Sequence, residues 1–312
     1  MVLYSFLMHH LIETQQFDRA SLKELFDFAT KLDGKREKSL EGKILASLFY
    51  EPSTRTRFSF ESAMMRLGGN VLTMESVRDS SSDKKGETLE DAIKVVNNYA
   101  DAIVLRHSET GSAARAAAVS AAPIINAGDG NMGQHPTQAL LDLYTVQREL
   151  GREDGIHVAF VGNLKYYRSA RSLSYLISKY KDIRITFVSV PELQMGDDVK
   201  NHLRESGVEY AETEDMQSVL GDVDVLYQTR IAKEWITTGN YEDLKGRYII
   251  TRGVADSMKK GAIIIHPLPR VDEIEVEVDD SPHAVYFKQV GYGLLVRMAI
   301  LKTILSGTSA RT

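Results

Sequence analysis

The sequence predicts an α/β protein of two domains, each a parallel β-sheet flanked by helices. Its 312 residues exceed what one ordinary hydrophobic core organises, so two domains are expected. Short apolar runs alternate with segments of helical period in both halves, which is typical of parallel sheets. We place the domains at residues 1–135, joined by a C-terminal helix at about 292–312, and at residues 136–291.

The first domain is expected to open with a helix, a buried strand and a second helix. Asp18 is a candidate cap for the first helix, whose apolar face is formed by Leu22, Leu25, Phe26 and Ala29. The apolar run KILASLFY, residues 43–50, indicates a strand buried on both faces. The second helix ends at Gly68-Gly69, and its apolar face is formed by Phe60, Ala63, Met64 and Leu67.

The rest of the first domain continues the alternation of strands and helices. A polar segment, residues 76–87, leads into a helix whose apolar residues run from Leu89 to Ala100. Strands follow at 101–106 and 123–126. The loop GDGNMGQHP, residues 128–136, then precedes a helix that we expect to bridge the domains.

The second domain repeats the pattern. Strands are predicted at 156–161, 184–190, 223–228 and 261–269, with a helix through 172–180. An apolar helix from about Val290 to Leu305 is expected to pack back on the first domain. We interpret the acidic run EIEVEVDD, residues 273–280, as a solvated strand or loop.

Composition excludes several classes of protein. The net charge of −5 argues against a general nucleic-acid binder, and no apolar run is long enough to span a bilayer. With no cysteine, eight histidines and no HExxH pair, neither a disulfide nor a metal site is expected. The opening residues lack the basic leader of a signal peptide, so the default is a cytoplasmic protein without a cofactor.

The most unusual stretch is STRTR, residues 53–57, on the turn between the first strand and its helix. The first amides of a helix lack internal partners and its dipole is positive there, so hydroxyls and a guanidinium at that point favour an anion. The alternative is that Ser53 or Thr54 only caps the helix and the arginines are surface charge.

Other polar side chains follow the predicted strands at their carboxyl ends, where open α/β sheets bind ligands. They are Arg106, His135 with Gln138, Arg168, Arg230 and the segment HPLPR at 266–270. Each alone has an ordinary interpretation, as a surface ion pair or a turn histidine. Together they indicate a ligand with several anionic groups. No carboxylate pair and no GxSxG stands out, which favours catalysis by positioning and electrostatics.

Six motifs resemble the catalytic chain of the aspartate carbamoyltransferase family, in order along almost the whole sequence. They are STRTR (53–57), LRH (105–107), HPTQ (135–138), YYRS (166–169), YQTRIAKE (227–234) and HPLPRVDE (266–273). STRTR and HPTQ are shared by transcarbamoylases generally, whereas KKGE (84–87), TRxxKE and HPLPR argue for aspartate as acceptor. The resemblance implies carbamoyl transfer from carbamoyl phosphate to aspartate in pyrimidine synthesis, with the active site in the cleft between the domains.

The resemblance also implies a role for each motif residue. The phosphate would be held by Ser53, Thr54, Arg55 and Thr56, and the developing oxyanion by Thr56, Arg106 and His135. Gln138 and the backbone carbonyls of Pro267 and Leu268 would orient the carbamoyl group and the amine. Arg168 and Arg230 would bind the two carboxylates of aspartate. The catalytic set would be Arg55, Thr56, Arg106 and His135.

In this family a loop reaches the active site of the neighbouring subunit. The resemblance therefore implies that Ser81 and Lys85 complete a shared site in a homotrimer, with Lys85 also contacting aspartate. The residues alone favour a solvated polar loop. Domain closure on substrate binding, and separate regulatory chains as possible partners, are implied as well.

Two positions depart from the family pattern. Ala232 replaces a glutamine that usually contacts aspartate, and Trp235 replaces an arginine that usually follows KE. Loss of one hydrogen bond to a charged ligand costs about ten- to a hundred-fold in affinity. The two positions therefore suggest weaker aspartate binding or a transcarbamoylase for another amino acid. A non-catalytic sensor of anionic ligands is a separate alternative.

Overall fold

The computed structural model describes residues 9–75, 86–231, 241–244 and 246–307. The helices there are α1 Arg19–Lys31, α2 Thr54–Arg66, α3 Leu89–Val96, α4 Ser112–Val119, α5 Pro136–Leu150, α6 Arg168–Ile177, α7 Asp197–Glu205, α8 Tyr241–Leu244, α9 Arg252–Asp256 and α10 Tyr286–Gly307. The strands are β1 Ile44–Phe49, β2 Asn70–Glu75, β3 Ala102–His107, β4 Ile124–Asp129, β5 His157–Val161, β6 Arg184–Val188, β7 Glu209–Thr213, β8 Val225–Gln228 and β9 Ile263–Ile265.

Two compact units divide the chain. The first unit holds the described residues up to Leu140 and those from Gly291 onward, and the second unit holds Leu141–Val290. These limits fall inside α5 and α10. The domain limits of 135 and 291 stay predictions of the sequence.

The first unit contains a four-stranded parallel sheet in the order β2-β1-β3-β4. β1, β3 and β4 are almost wholly buried, as their apolar sequences predict. Side chains from α3 and α4 pack on this sheet to form a core that includes Leu48, Leu89, Ile93, Ile103 and Ala116. From the other end of the chain, Arg297 of α10 donates to Ser59 of α2. The turn after β1 and the loop after β4 therefore both begin at buried strands of one sheet.

The second unit contains a five-stranded parallel sheet in the order β7-β6-β5-β8-β9. Its core includes Val161, Val188, Leu226, Ile264 and Tyr286. The two parallel sheets with flanking helices confirm the predicted fold class. Within the described residues, no helix combines the length and the apolar character needed to cross a membrane.

Two sequence interpretations need correction. The sequence does not predict the edge strands β2 and β7, because neither contains a buried residue and neither has a continuous apolar run. The acidic run 273–280 is also not uniformly solvated. Glu273, Ile274 and Val278 are buried, and residues Val276–Asp280 form a short 3-10 helix.

Candidate active site

The amino end of α2 begins at Ser53, whose hydroxyl does not cap the helix. Ser53 occupies the N-cap position, and its side chain makes no capping hydrogen bond. By contrast, Asp18 caps α1 by accepting from the backbone N–H of Ser21 at 2.8 Å. The structure therefore does not support the interpretation of Ser53 as a cap. A helix end of this kind carries backbone donors and a positive dipole, which suit an anion.

The two arginines of the STRTR turn differ in their surroundings. Nη1 of Arg57 lies 2.9 Å from Oε2 of Glu75, and its guanidinium lies over the ring of Phe58. Arg57 is thus an ion-pair residue between α2 and β2, as the alternative interpretation holds. Arg55 is exposed in the first turn of the helix, and Thr56 behind it is buried.

Arg106 lies at the carboxyl end of β3, directly opposite Phe49 in the register of the sheet. Nε of Arg106 lies 3.2 Å from Oε2 of Glu51, on the turn that follows β1. The backbone N–H of Tyr50 donates to the carbonyl of Arg106. These contacts bring the guanidinium to the edge of the sheet at which α2 begins.

The loop after β4 is folded tightly around Asp129. This carboxylate accepts from the backbone N–H groups of Gly111 and Gln134, at 2.9 and 3.0 Å. A Cβ atom on Gly133 would lie 1.9 Å from the carbonyl oxygen of Asp129, so only glycine fits at that position. The loop thereby leads the chain back to the sheet edge at His135.

His135 is buried immediately before the first residue of α5. Its Nδ1 lies 3.4 Å from Oγ1 of Thr137, and its carbonyl accepts from the backbone N–H of Gln138. Gln138 is also buried, three residues further along. Because β1, β3 and β4 are neighbours and run parallel, the turn at Ser53, Arg106 and the His135 loop all follow the carboxyl edge of one sheet.

The second unit repeats this arrangement at the carboxyl ends of β5, β8 and β9. Arg168 is the first residue of α6, after the loop that leaves β5. Arg230 follows β8 by two residues, and the HPLPR segment follows β9 directly. Gly162 allows the first two loops to approach, since a Cβ there would lie 2.5 Å from the carbonyl oxygen of Thr229. Three neighbouring parallel strands again carry the predicted residues to one edge.

The HPLPR loop has an unusual backbone. Leu268 has a φ of 57°, in the left-handed region that non-glycine residues rarely adopt, and the Leu268–Pro269 peptide is cis. His266 is fully buried and hydrogen-bonded to Leu268 and to Glu273. No motif in the sequence indicates a role for the side chains of His266 and Glu273.

A second buried network anchors the same loop. The backbone N–H of His266 donates to Oε1 of Gln289, whose amide donates to Asp142, and Asp142 also accepts from the hydroxyl of Tyr227. Burial and the Asp142 carboxylate raise the pKa of Tyr227, so the hydroxyl stays a donor. No spacing in the sequence indicates this network, because its members are up to 147 residues apart.

Several residues discussed above lie outside the described residues. They are Ser81, Lys85, Ala232 and Trp235, together with Lys84 of KKGE and with Lys233 and Glu234 of TRxxKE. The individual roles of all the site residues remain predictions, since a position at a sheet edge does not by itself assign a contact with substrate.

Comparisons with known proteins identify the family. A family model described as "Aspartate/ornithine carbamoyltransferase, carbamoyl-P binding domain" matches residues 9–148. A second, described as "Aspartate/ornithine carbamoyltransferase, Asp/Orn binding domain", matches residues 154–304. The chain belongs to the aspartate/ornithine carbamoyltransferase family.

Similar members of the aspartate/ornithine carbamoyltransferase family come from plants and archaea. Aspartate carbamoyltransferase 3, chloroplastic, of Pisum sativum is 52% identical over 309 residues, covering 97% of this chain and 79% of the relative. The aspartate carbamoyltransferase catalytic subunit of Methanocaldococcus jannaschii is 52% identical over 304 residues, covering 96% and 98%. The M. jannaschii catalytic subunit also has a solved structure, with TM-score 0.90 and 50% identity over 97% of this chain and 100% of that chain.

A second solved structure is similar and contains two bound molecules. It is the aspartate transcarbamoylase of Trypanosoma cruzi in complex with carbamoyl phosphate and aspartate, with TM-score 0.90 and 37% identity over 96% of this chain and 98% of that chain. The two domains of the aspartate/ornithine carbamoyltransferase family divide the predicted residues as the structure does. Ser53 to Gln138 lie in the carbamoyl-P match, and Arg168 to Leu268 lie in the Asp/Orn match.

Proposed function

We propose that this chain transfers the carbamoyl group of carbamoyl phosphate to the amine of L-aspartate, giving N-carbamoyl-L-aspartate and phosphate, in pyrimidine biosynthesis. The amine attacks the carbonyl carbon, a tetrahedral intermediate forms, and its collapse breaks the bond to the phosphate oxygen. The relatives named above as aspartate carbamoyltransferases support the reaction. The T. cruzi complex with both substrates supports the choice of acceptor.

The first unit would bind carbamoyl phosphate. The amino end of α2, with Ser53, Thr54, Arg55 and Thr56, would hold the phosphate through backbone amides, hydroxyls and one guanidinium. Arg106 and His135 would donate to the carbonyl oxygen together with Thr56, and would stabilise it most strongly as it gains negative charge. Gln138 would orient the carbamoyl NH2. Catalysis would then come from placement and electrostatics and would need no cofactor.

The second unit would bind aspartate. Arg168 and Arg230 follow neighbouring strands, and each guanidinium can hold one carboxylate in bidentate fashion, which lysine cannot reproduce. The carbonyls of Pro267 and Leu268 would accept from the attacking amine. The acceptor must then approach the carbamoyl carbon with its amine oriented for attack.

The observation that carries this proposal is the uncapped Ser53 turn in a family member whose motifs for both substrates are present. The test is to incubate the protein with carbamoyl phosphate and a panel of amino acids, and to measure phosphate release and the carbamoylated product. We expect N-carbamoyl-L-aspartate. A different carbamoylated amino acid would favour the altered acceptor suggested by Ala232 and Trp235, and binding without any product would favour a sensor.

We further propose a homotrimer in which Ser81 and Lys85 complete the active site of a neighbouring subunit. Large apolar side chains on the surface of the first unit support self-association, because Phe58 and Met65 on α2 are 55% and 60% exposed. Sedimentation of the chain alone tests the trimer. Separate regulatory chains are also proposed partners, since a relative is named a catalytic subunit. Their absence from the protein purified from its own source would contradict this.

The location proposed for the protein is cytoplasmic. The plant relatives are named chloroplastic, so the two compartments are the alternatives of interest. Immunodetection in fractionated cells of the source organism separates these alternatives.

A further inference from the structure

His266 holds its neighbours through both ring nitrogens. The backbone N–H of Leu268 donates to Nδ1 at 2.7 Å, and Nε2 lies 2.8 Å from Oε1 of Glu273. A nitrogen that accepts a hydrogen bond carries no proton, so the proton of the neutral ring is on Nε2 and is donated to Glu273. The ring is 1% exposed, so water does not replace either partner.

Hydrogen bonds to both carboxylate oxygens hold the side chain of Glu273 in place. Its Oε2 accepts from the backbone N–H groups of Val271 and Asp272, at 3.0 and 3.1 Å, which leaves Oε1 to accept from His266. Burial opposes ionisation, yet the hydrogen bonds from His266 and the backbone hold the pKa of Glu273 below its usual value. The carboxylate therefore selects the Nε2-protonated form of His266.

The residue at the other end of this chain of hydrogen bonds needs such support. Leu268 adopts φ 57°, and for a non-glycine residue such a backbone persists only where its surroundings impose it. The hydrogen bond to Nδ1 of His266 fixes the N–H of that residue. That N–H and the carbonyl of Pro267 belong to one peptide plane, so the hydrogen bond also fixes the direction of the Pro267 carbonyl and anchors the segment that leads to the Leu268 carbonyl.

We propose that His266 and Glu273 are positioning residues that hold the Pro267–Leu268 carbonyls in place for carbamoyl transfer. Neither side chain needs to touch a substrate. The inference rests on the proposed function, in which those carbonyls orient the attacking amine, and it adds two residues and one tautomer to that site.

Two substitutions of His266 separate the hydrogen bonds. Oδ1 of an asparagine overlies Nδ1, so His266→Asn keeps an acceptor for Leu268 and loses the contact with Glu273. Nε2 of a glutamine overlies Nε2 of the ring, so His266→Gln keeps the donor to Glu273 and loses the acceptor for Leu268. We expect kcat to fall about tenfold in H266Q and at most about threefold in H266N.

Substitution of the carboxylate tests the tautomer. In Glu273→Gln the amide oxygen is best kept for the N–H groups of Val271 and Asp272, so the amide NH2 faces Nε2 of His266. Two donors cannot pair, and the ring must move its proton to Nδ1, which then meets the Leu268 N–H. We expect E273Q to lose about as much kcat as H266Q, and to cause no further loss on the H266N background.

The controls distinguish an effect on the positions of the carbonyl groups from a general loss of stability. His202→Gln, near the end of α7 where β7 begins, should leave kcat unchanged. Melting temperatures are measured for every variant, since a purely structural role would lower stability without the split between H266N and H266Q. Equal loss of kcat in those two variants, or a full effect of E273Q on the H266N background, would overturn the proposal.

A readout without turnover covers the case in which the wild-type protein transfers no carbamoyl group. With 15N-labelled histidine, the ring signals of His266, assigned by their absence from H266N, report which nitrogen carries the proton. We expect Nε2–H in the wild type and Nδ1–H in E273Q. An Nδ1–H signal in the wild type would refute the positioning scheme whatever the reaction is.

Discussion

At the scale of single residues, Ser53 and Asp18 occupy the same position on two helices and do different work. Asp18 satisfies a backbone donor of α1, whereas Ser53 leaves its helix end without a side-chain cap. A serine at an N-cap position whose side chain does not cap the helix is a candidate for binding an anion there.

We predict that Ser53→Ala and Asp18→Ala will separate ligand binding from stability. S53A should raise KM for carbamoyl phosphate roughly ten- to a hundred-fold, through one lost hydrogen bond to a charged group, with little change in the free energy of unfolding. D18A should lose about 1 kcal/mol of stability with KM unchanged. Steady-state kinetics and urea unfolding of both variants decide this, and a stability loss in S53A equal to that in D18A would return Ser53 to the role of a cap.

Glu273 gives a prediction for pH. Burial raises its pKa but the hydrogen bond from His266 and the backbone amides outweigh burial, so the folded pKa lies below the usual 4.5. Such a group stabilises the fold fully above pH 4.5, and this contribution is lost as pH falls through the folded pKa. Urea unfolding from pH 6 to 3.5 should show a shallower loss of stability on acidification in E273Q than in the wild type. Glu275→Gln, an exposed neighbour, is the matched control and should keep the wild-type slope.

At the scale of elements, the loops at the sheet edges depend on close approach of backbones. Gly162 has a φ of 109°, and a Cβ there would lie 2.5 Å from the carbonyl oxygen and 2.7 Å from Oγ1 of Thr229. Gly207, between α7 and β7, has a φ of 70° and open space around it. Both glycines therefore have a positive φ, but only at Gly162 would a Cβ atom collide with a neighbouring residue.

We predict that Gly162→Ala will displace Thr229 and with it the adjacent Arg230. KM for aspartate should rise several-fold, with about 1–3 kcal/mol of lost stability. Gly207→Ala should lose only about 1–2 kcal/mol for its left-handed backbone and leave both KM values unchanged. Kinetics with each substrate varied in turn measure this. An unchanged KM for aspartate in G162A would mean that the contact of the two loops does not position Arg230.

The same scale shows how far sequence reasoning reaches. β1, β3, β4 and the central strands of the second sheet are predictable, because strands buried on both faces must be apolar throughout. β2 and β7 pair along one edge only and contain no buried residue, so no continuous apolar run marks them. α7 is also hard to predict, because five of the nine residues in its sequence DDVKNHLRE are charged and few apolar residues mark its buried face.

The site is predictable where a motif lies next to a strand end and not where contacts join distant segments. Arg106 and Arg168 follow apolar runs, so chain position alone indicates the sheet edge. Glu273 lies in an acidic run, and only the fold shows that it turns inward to His266. Ser53 and Arg57 stand four residues apart in one cluster, yet Arg57 pairs with Glu75 on a strand that the sequence did not predict.

At the scale of the whole molecule, both units place polar groups in the same way. Each has three neighbouring parallel strands whose carboxyl ends carry hydroxyl, imidazole, guanidinium or carbonyl groups, on β1, β3 and β4 in one and on β5, β8 and β9 in the other. A family model for carbamoyl phosphate binding matches the first, and one for aspartate or ornithine binding matches the second. Under the proposed function each unit would bind one substrate, and the proposed loop of a neighbouring subunit would complete the active site.

That shared site gives a prediction about mixed assemblies. If Lys85 acts in the neighbouring subunit while Arg106 acts in its own, Lys85→Ala and Arg106→Ala trimers should both be inactive, yet hybrids should recover activity. A working site needs an intact Arg106 on one chain and an intact Lys85 on the next, so random reassembly of equal amounts restores about a quarter of the sites. Wild-type trimers dissociated and reassembled alongside provide the reference. Because no single chain in the mixture carries both residues, recovered turnover can come only from sites built by two chains, and a mixture no more active than its parents would show that each chain completes its own site.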